Sequence, residues 1–240
     1  RGTQPFVGCC GRQCLCYQVY SGSSASPFTS QPSSMADKQT QPLVQPSSII
    51  QLFGENYISN EERIFAIDEH ILSLSGDSFT IKDLQGTSVF KMRGKFLTIH
   101  QRKFFTDANG APIAEMYHKI FTMHRTIFIK NSATDEVVCT CRTRKVLQLH
   151  SNVDIFFGDG EKEKADITVD GSILSRKFTF LNDRGEMIGR AERELFSAKN
   201  LIFGKDKYYL AVAPGVDCAL MVLLAITLDE MFADNRQGKS

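Results

Sequence analysis

Of the residues that could do chemistry in this 240-residue chain, the five histidines and seven cysteines come first. His118 and His124 flank a turn, but a pair at that spacing without a third ligand reads as structural and not as a metal site. His70, His100 and His150 stand apart from one another in sequence. Asp154, Asp159, Asp166 and Asp170 could suggest a calcium loop. Gly160 and Lys162, however, do not fall where such a loop needs its glycine and its ligands. Cys139 and Cys141 lie two apart on an expected strand and so share one face. A redox pair would want C-x-x-C spacing and exposure, so these two and Cys218 read as buried thiols. No nucleophile elbow, zinc-protease helix, phosphate-binding loop or dinucleotide fingerprint is present. The expectation is a protein without catalytic residues, metal or cofactor.

Positive charge is the feature that points to binding. Lys91, Arg93 and Lys95 alternate along a strand and its turn and should point the same way. Arg102 with Lys103, Arg142 with Arg144 and Lys145, and Arg176 with Lys177 add further pairs. Lys91, Arg93, Lys95, Arg102, Lys103, Arg142 and Arg144 are the candidate lipid-binding set. Near an anionic surface each Lys or Arg contributes about 1 kcal/mol. The competing reading is a solvated exterior whose charges discourage edge pairing. With 28 Lys and Arg against 27 Asp and Glu, the net charge is +1. No basic run of five or more occurs, so nucleic acid is not an expected partner.

The N-terminus differs from the rest. Residues 1–34 hold no acidic residue, are rich in Ser, Gly, Gln and Pro, and carry Cys9, Cys10, Cys14 and Cys16. They read as a disordered leader or as non-native upstream sequence. Zinc would want a second Cys/His pair at matching spacing, whereas acylation of this run would tether the chain to a membrane. Beyond it, residues 35–48 read as a flexible segment, 49–233 as one domain and 234–240 as a tail. No secretory signal is visible, so the body cysteines are expected reduced in a cytoplasmic protein.

The elements that must position these residues are mostly strands around one helix. Val216–Phe232 is apolar on every side, too continuous for a surface helix and shorter than the roughly 20 apolar residues of a membrane span. Pro214-Gly215 breaks the chain before it, and Asp217 is placed to cap its first turn. Leu220, Leu223, Leu224 and Leu228 are its core residues. Upstream, one turn recurs three times: Asp83 three before Gly86, Asp107 before Gly110, Asn182 before Gly185. Asp or Asn starts such a turn through its own side chain, and Gly closes it in the left-handed region. Further strands are expected at 63–67, 89–93, 96–101, 126–130, 137–143, 146–150, 153–158, 167–170, 176–181 and 207–212, with 192–203 ambiguous. About a dozen antiparallel strands can enclose a helix, whereas about eight are filled by their own side chains. The fold expected is therefore a mainly β, antiparallel barrel around a hydrophobic C-terminal helix.

The run Tyr208–Glu230, with Pro-Gly-Val-Asp leading into an all-apolar helix that ends Leu-Asp-Glu, resembles the C-terminal signature of the LURP-one-related family. Asp107-Ala-Asn-Gly-Ala-Pro-Ile-Ala-Glu-Met-Tyr-His-Lys and Met123-His-Arg125 resemble it too. The resemblance covers roughly residues 45–233. It departs where the family often has Trp and this chain has Ile127 and Phe128. The family is similar in fold to the tubby C-terminal domain and to phospholipid scramblases, which implies twelve strands threaded by the helix. In function it implies association with membranes or phosphoinositides; taken with the absence of catalytic motifs, the expectation is a monomeric, non-enzymatic module that meets anionic membrane lipid or a protein partner. Scramblase-like lipid translocation, or membrane-tethered regulation of transcription or defence, is the alternative it implies, with a peripheral-membrane or nuclear location.

Overall fold

A computed structural model describes residues 42–68, 79–94, 102–120, 124–144, 150–172, 177–192 and 207–236. Twelve strands form a closed, wholly antiparallel barrel: β1 (Arg63–Asp68), β2 (Phe79–Asp83), β3 (Ser88–Gly94), β4 (Lys103–Asp107), β5 (Pro112–His118), β6 (Thr126–Asn131), β7 (Val137–Thr143), β8 (His150–Phe157), β9 (Ile167–Ser172), β10 (Lys177–Asn182), β11 (Met187–Glu192) and β12 (Lys207–Val212). Each strand pairs with its neighbour in sequence, and β1 closes the ring on β12 from Arg63↔Val212 to Asp68↔Lys207. Closure leaves no unpaired sheet edge. The expected strands at 96–101 and, for most of its length, 146–150 lie outside the described residues, as do most of the ambiguous stretch 192–203 and the leader 1–34.

The repeated turn behaves as its chemistry dictates. In all three copies the Gly N–H donates to the Asp or Asn carbonyl at 3.0–3.1 Å, and φ at Gly86, Gly110 and Gly185 is 82°, 92° and 79°. Asp83 Oδ1 accepts the N–H groups of Gln85 and Thr87, and Asp107 Oδ1 those of Asn109 and Ala111. Asn182 Oδ1 does the same for Arg184 and Glu186. Each turn is followed by a register shift, the bulge that such a loop imposes. A fourth turn, β6–β7, uses the same device without glycine: Asn131 Oδ1 accepts Ala133 N–H, and Asp135 itself takes φ 58°. Asp tolerates that region better than most residues.

Inside the barrel runs α1 (Cys218–Arg236), which starts two residues later than the sequence indicated and ends four residues later. From Cys218 to Asp229 every residue is buried. Its 19 residues span about 28 Å. The strands turn alternate side chains toward it: Phe65 and Ile67, Phe90 and Met92, Ile127 and Ile129, Cys139 and Cys141, Ile167 and Val169. The one hydroxyl in the middle of the helix, on Thr227, donates back to Leu223 O at 2.8 Å and so costs the core nothing. Among the described residues no helix is long and apolar enough to cross a membrane.

Candidate functional site

An up-and-down barrel has two unlike ends, and this one divides them by loop length and by charge. One end holds the tight turns 83–87, 107–111, 131–136 and 182–186, the longer connection 158–166, the start of α1, and the segment 42–62 that lies across it. With 213–217, these stretches carry 14 Asp and Glu against three Lys and Arg, read directly from the sequence. At the opposite end the described residues gather Arg93, Arg102, Lys103, Lys119, Arg125, Arg144, Lys177, Lys207 and Arg236, with Asp68, Asp170, Glu192, Asp229, Glu230 and Asp234 among them and Glu115 and Asp154 paired to Arg102 and Arg144. Among the described residues the hairpin-end stretches are therefore strongly acidic, while the loop end is close to charge balance and gathers many of the cations.

The acidic end is latched by Asp217. Its Oδ1 accepts Leu220 N–H at 3.0 Å, which caps α1 as the sequence suggested. Its Oδ2 accepts Phe53 and Leu52 N–H at 2.8 and 3.1 Å, which ties segment 42–62 to the helix. Ile50 N–H donates to Gly215 O and Asp217 N–H to Ile50 O, completing the closure. Burial pushes the carboxyl's pKa up from its ordinary value, against the pull of the N–H groups of Phe53, Leu220, Leu52 and Ala219.

Strand parity sorts the basic residues expected to form one site. On β3, Phe90 and Met92 face inward, so Lys91 and Arg93 face out together. Lys91 Nζ then turns toward the hairpin end and donates to Ala108 O at 2.5 Å, while Arg93 is exposed near the loop end. Lys95 lies outside the described residues. Arg102 points outward beside β4, pairs with Glu115 at 2.7 Å and sits 5.8 Å over the Tyr117 ring. Lys103 does not join them. It has the parity of buried Phe105, faces into the mouth of the barrel, and bonds Glu230 of α1. His118 lies 3.6 Å from the same carboxylate. Burial alone would raise the Glu230 pKa, but His118 and Lys103 outweigh it and bring it down to about 2.

Arg142 and Arg144 form a second group. Arg142 lies 5.2 Å over the Phe156 ring and donates to Gly160 O at 3.0 Å; Arg144 pairs with Asp154 at 2.6 Å. Strand β7 is four strands from β3, about 19 Å around the wall at about 4.8 Å per strand. The sequence set thus resolves into an outward patch on β3–β4, an inward lysine, and a separate pair on β7.

The remaining candidates have structural partners. Asp159 caps a turn through Glu161 N–H, and Asp166 accepts Phe157 N–H and pairs with Lys162. Cys139, Cys141 and Cys218 are buried free thiols, and burial pushes Cys218 up to about 11. Among the described residues no three His, Cys, Asp or Glu are grouped to hold a metal. Sequence reasoning passed over Phe104, which stands outward on β4 and is 36% exposed. The signal was available: two adjacent phenylalanines in a strand cannot both face the core.

Comparison with known proteins agrees with this architecture. Residues 63–229 match the family model described as LURP-one-related. The chain is similar to protein LURP-one-related 15 of Arabidopsis thaliana, 27% identical over 71% of this chain and 81% of the relative. It is also similar to LURP-one-related 1 of the same plant, 29% identical over 69% and 76% respectively. An X-ray structure of an Arabidopsis thaliana protein shares the fold at a TM-score of 0.55, with 21% identity over 75% of this chain and 97% of that one.

Proposed function

The chain belongs to the LURP-one-related family, and on that premise we propose that it is a non-catalytic binding module whose loop end meets an anionic phospholipid surface. One observation carries the reading: charge is uneven along the barrel axis, with 14 acids against three bases in the hairpin-end stretches and a near balance, rich in cations, at the other end. Such an asymmetry orients a molecule in the field of an anionic membrane, drawing the cation-rich end in and holding the acidic end away. Arg102 and Arg144 are partly neutralised by Glu115 and Asp154, so the attraction is modest and screened by salt. Lipid translocation is less well supported, because α1 would have to leave a barrel that encloses it from Cys218 to Asp229.

The test is co-sedimentation of the protein with phosphatidylcholine vesicles, with and without phosphatidylserine or phosphoinositide, at low and high salt. Binding confined to anionic vesicles and weakened by salt is expected. Arg93→Glu should lower affinity about fivefold or more, at about 1 kcal/mol per cation removed. Equal binding to neutral vesicles, or none to anionic ones at low salt, defeats the reading.

A further inference from the structure

We propose that the outer wall of β4–β6 is the part of the barrel that enters the lipid interface, with Phe104 inserting among the headgroups and Arg93 and Arg102 holding phosphates beside it. This deepens the phospholipid reading above and rests on it.

The wall combines an exposed aromatic ring with cations. Phe105 is buried in the core, and Phe104, its neighbour on β4, faces out at 36% exposure. Two other large apolar side chains are exposed among the described residues, Val44 and Ile49, and both lie in the segment across the acidic end. Phe104 has Arg93 as its cross-strand partner on β3 and Glu115 on β5, and Arg102 lies two residues back on the same face. Beyond them the Tyr117 and Phe128 rings meet at 5.5 Å. Arg102 sits over the first at 5.8 Å, and Lys119 over the second at 5.2 Å.

Cations resting on ring faces are held at the surface with their N–H groups still turned to solvent. An exposed ring among such cations matches the membrane boundary, where aromatic side chains sit at headgroup depth and basic ones meet phosphate. Charge complementarity selects an anionic partner, since Glu115 is the acid on this wall against Arg93, Arg102 and Lys119. Single-stranded nucleic acid also stacks on aromatics among cations, but it needs open ring faces in series. Here Tyr117 and Phe128 are half-buried and covered by Arg102 and Lys119, which leaves one open ring.

The chain contains no tryptophan, so Phe104→Trp introduces a single reporter at an exposed position. Full-length Phe104→Trp mixed with phosphatidylcholine–phosphatidylserine vesicles should show a blue shift and quenching by brominated acyl chains. Ile49→Trp, at the acidic end, should show neither. Phe104→Ser should bind the same vesicles about tenfold more weakly, a loss that high salt does not erase because it is apolar in origin. Vesicle binding without a shift at Phe104→Trp overturns the wall while sparing the phospholipid reading. A shift at Ile49→Trp instead overturns it as well. Failure of the unmodified protein to bind anionic vesicles removes both. A Phe104→Trp signal produced by a single-stranded oligonucleotide and not by vesicles assigns the wall to nucleic acid and ends the proposal.

Discussion

Asp217 shows how one side chain can join two parts of a chain 165 residues apart. The carboxylate is fully buried, which by itself is unfavourable. It is retained because it satisfies the first turn of α1 and two amides of segment 42–62 at once. Asp217→Ala leaves one buried and two part-buried amides short of an acceptor and should cost about 3 kcal/mol in denaturant unfolding. Asp217→Asn keeps one acceptor oxygen and should cost less; equal losses would show that the second oxygen contributes nothing. Gly160 makes a related case. At φ 82° an added Cβ would lie 2.8 Å from Thr140 Cγ2, whose hydroxyl bonds Gly158 O. Gly160→Ala should therefore destabilise by about 1–2 kcal/mol, and an unchanged unfolding midpoint would mean that this loop gives way freely.

At the scale of elements, α1 is held at its two ends by opposite chemistry. Its start is capped by backbone amides on Asp217, and its end by the pairing of Glu230 with Lys103 and the nearby His118. The Glu230 pKa falls from 4.5 to about 2 on folding. Between those values the unfolded chain binds the extra proton, so stability rises with pH across that window. The contribution, about 3 kcal/mol, is present above pH 4.5 and lost as the pH falls through 2. Asp217, whose pKa is raised, slopes the other way, so the Glu230 effect is best read as the difference between the native protein and Glu230→Gln. That difference should shrink steadily as acid is added; a constant gap from pH 5 to pH 2 would disprove the linkage. Between the two ends, Leu223→Asp would place a carboxylate against apolar neighbours on every side. It should abolish the folded state in circular dichroism, at a cost of several kcal/mol.

For the whole molecule, the antiparallel up-and-down order decides more than the residue list does. Because each strand reverses direction, all the Asp/Asn-initiated turns fall at one end, together with 158–166 and the entry into α1, and the alternate strand connections fall at the opposite one. A chain with almost no net charge thereby acquires a charge asymmetry along the barrel axis, which bulk composition conceals. Reversing Arg93 and Arg144 together should slow association with anionic vesicles more than it speeds dissociation, and raising salt should remove the difference. A change confined to dissociation would locate the charges in contact with lipid and leave them no part in steering.

Much of this was legible in the sequence. The all-round apolar run 216–232 demanded a protein jacket, and period-two alternation with recurring D-x-x-G and N-x-x-G turns supplied an antiparallel one. Those signals are local, since side-chain direction alternates by one residue and a turn is fixed within four. The Asp135 turn escaped because no glycine marks it. The candidate site was legible only in part. Parity within β3 correctly put Lys91 and Arg93 on one side, but the adjacent Phe104 and Phe105 left β4 open to either register. Only packing around α1 turned Phe105 and Lys103 inward and Phe104 out. Which strands stand together, and hence that Arg144 lies a third of the way around the barrel from Arg93, follows from the order of closure from β1 to β12. Sequence therefore settles what is inside and where the chain turns. Tertiary structure settles which outward residues are neighbours, because neighbourhood on a closed wall depends on hydrogen bonds between strands far apart in the chain.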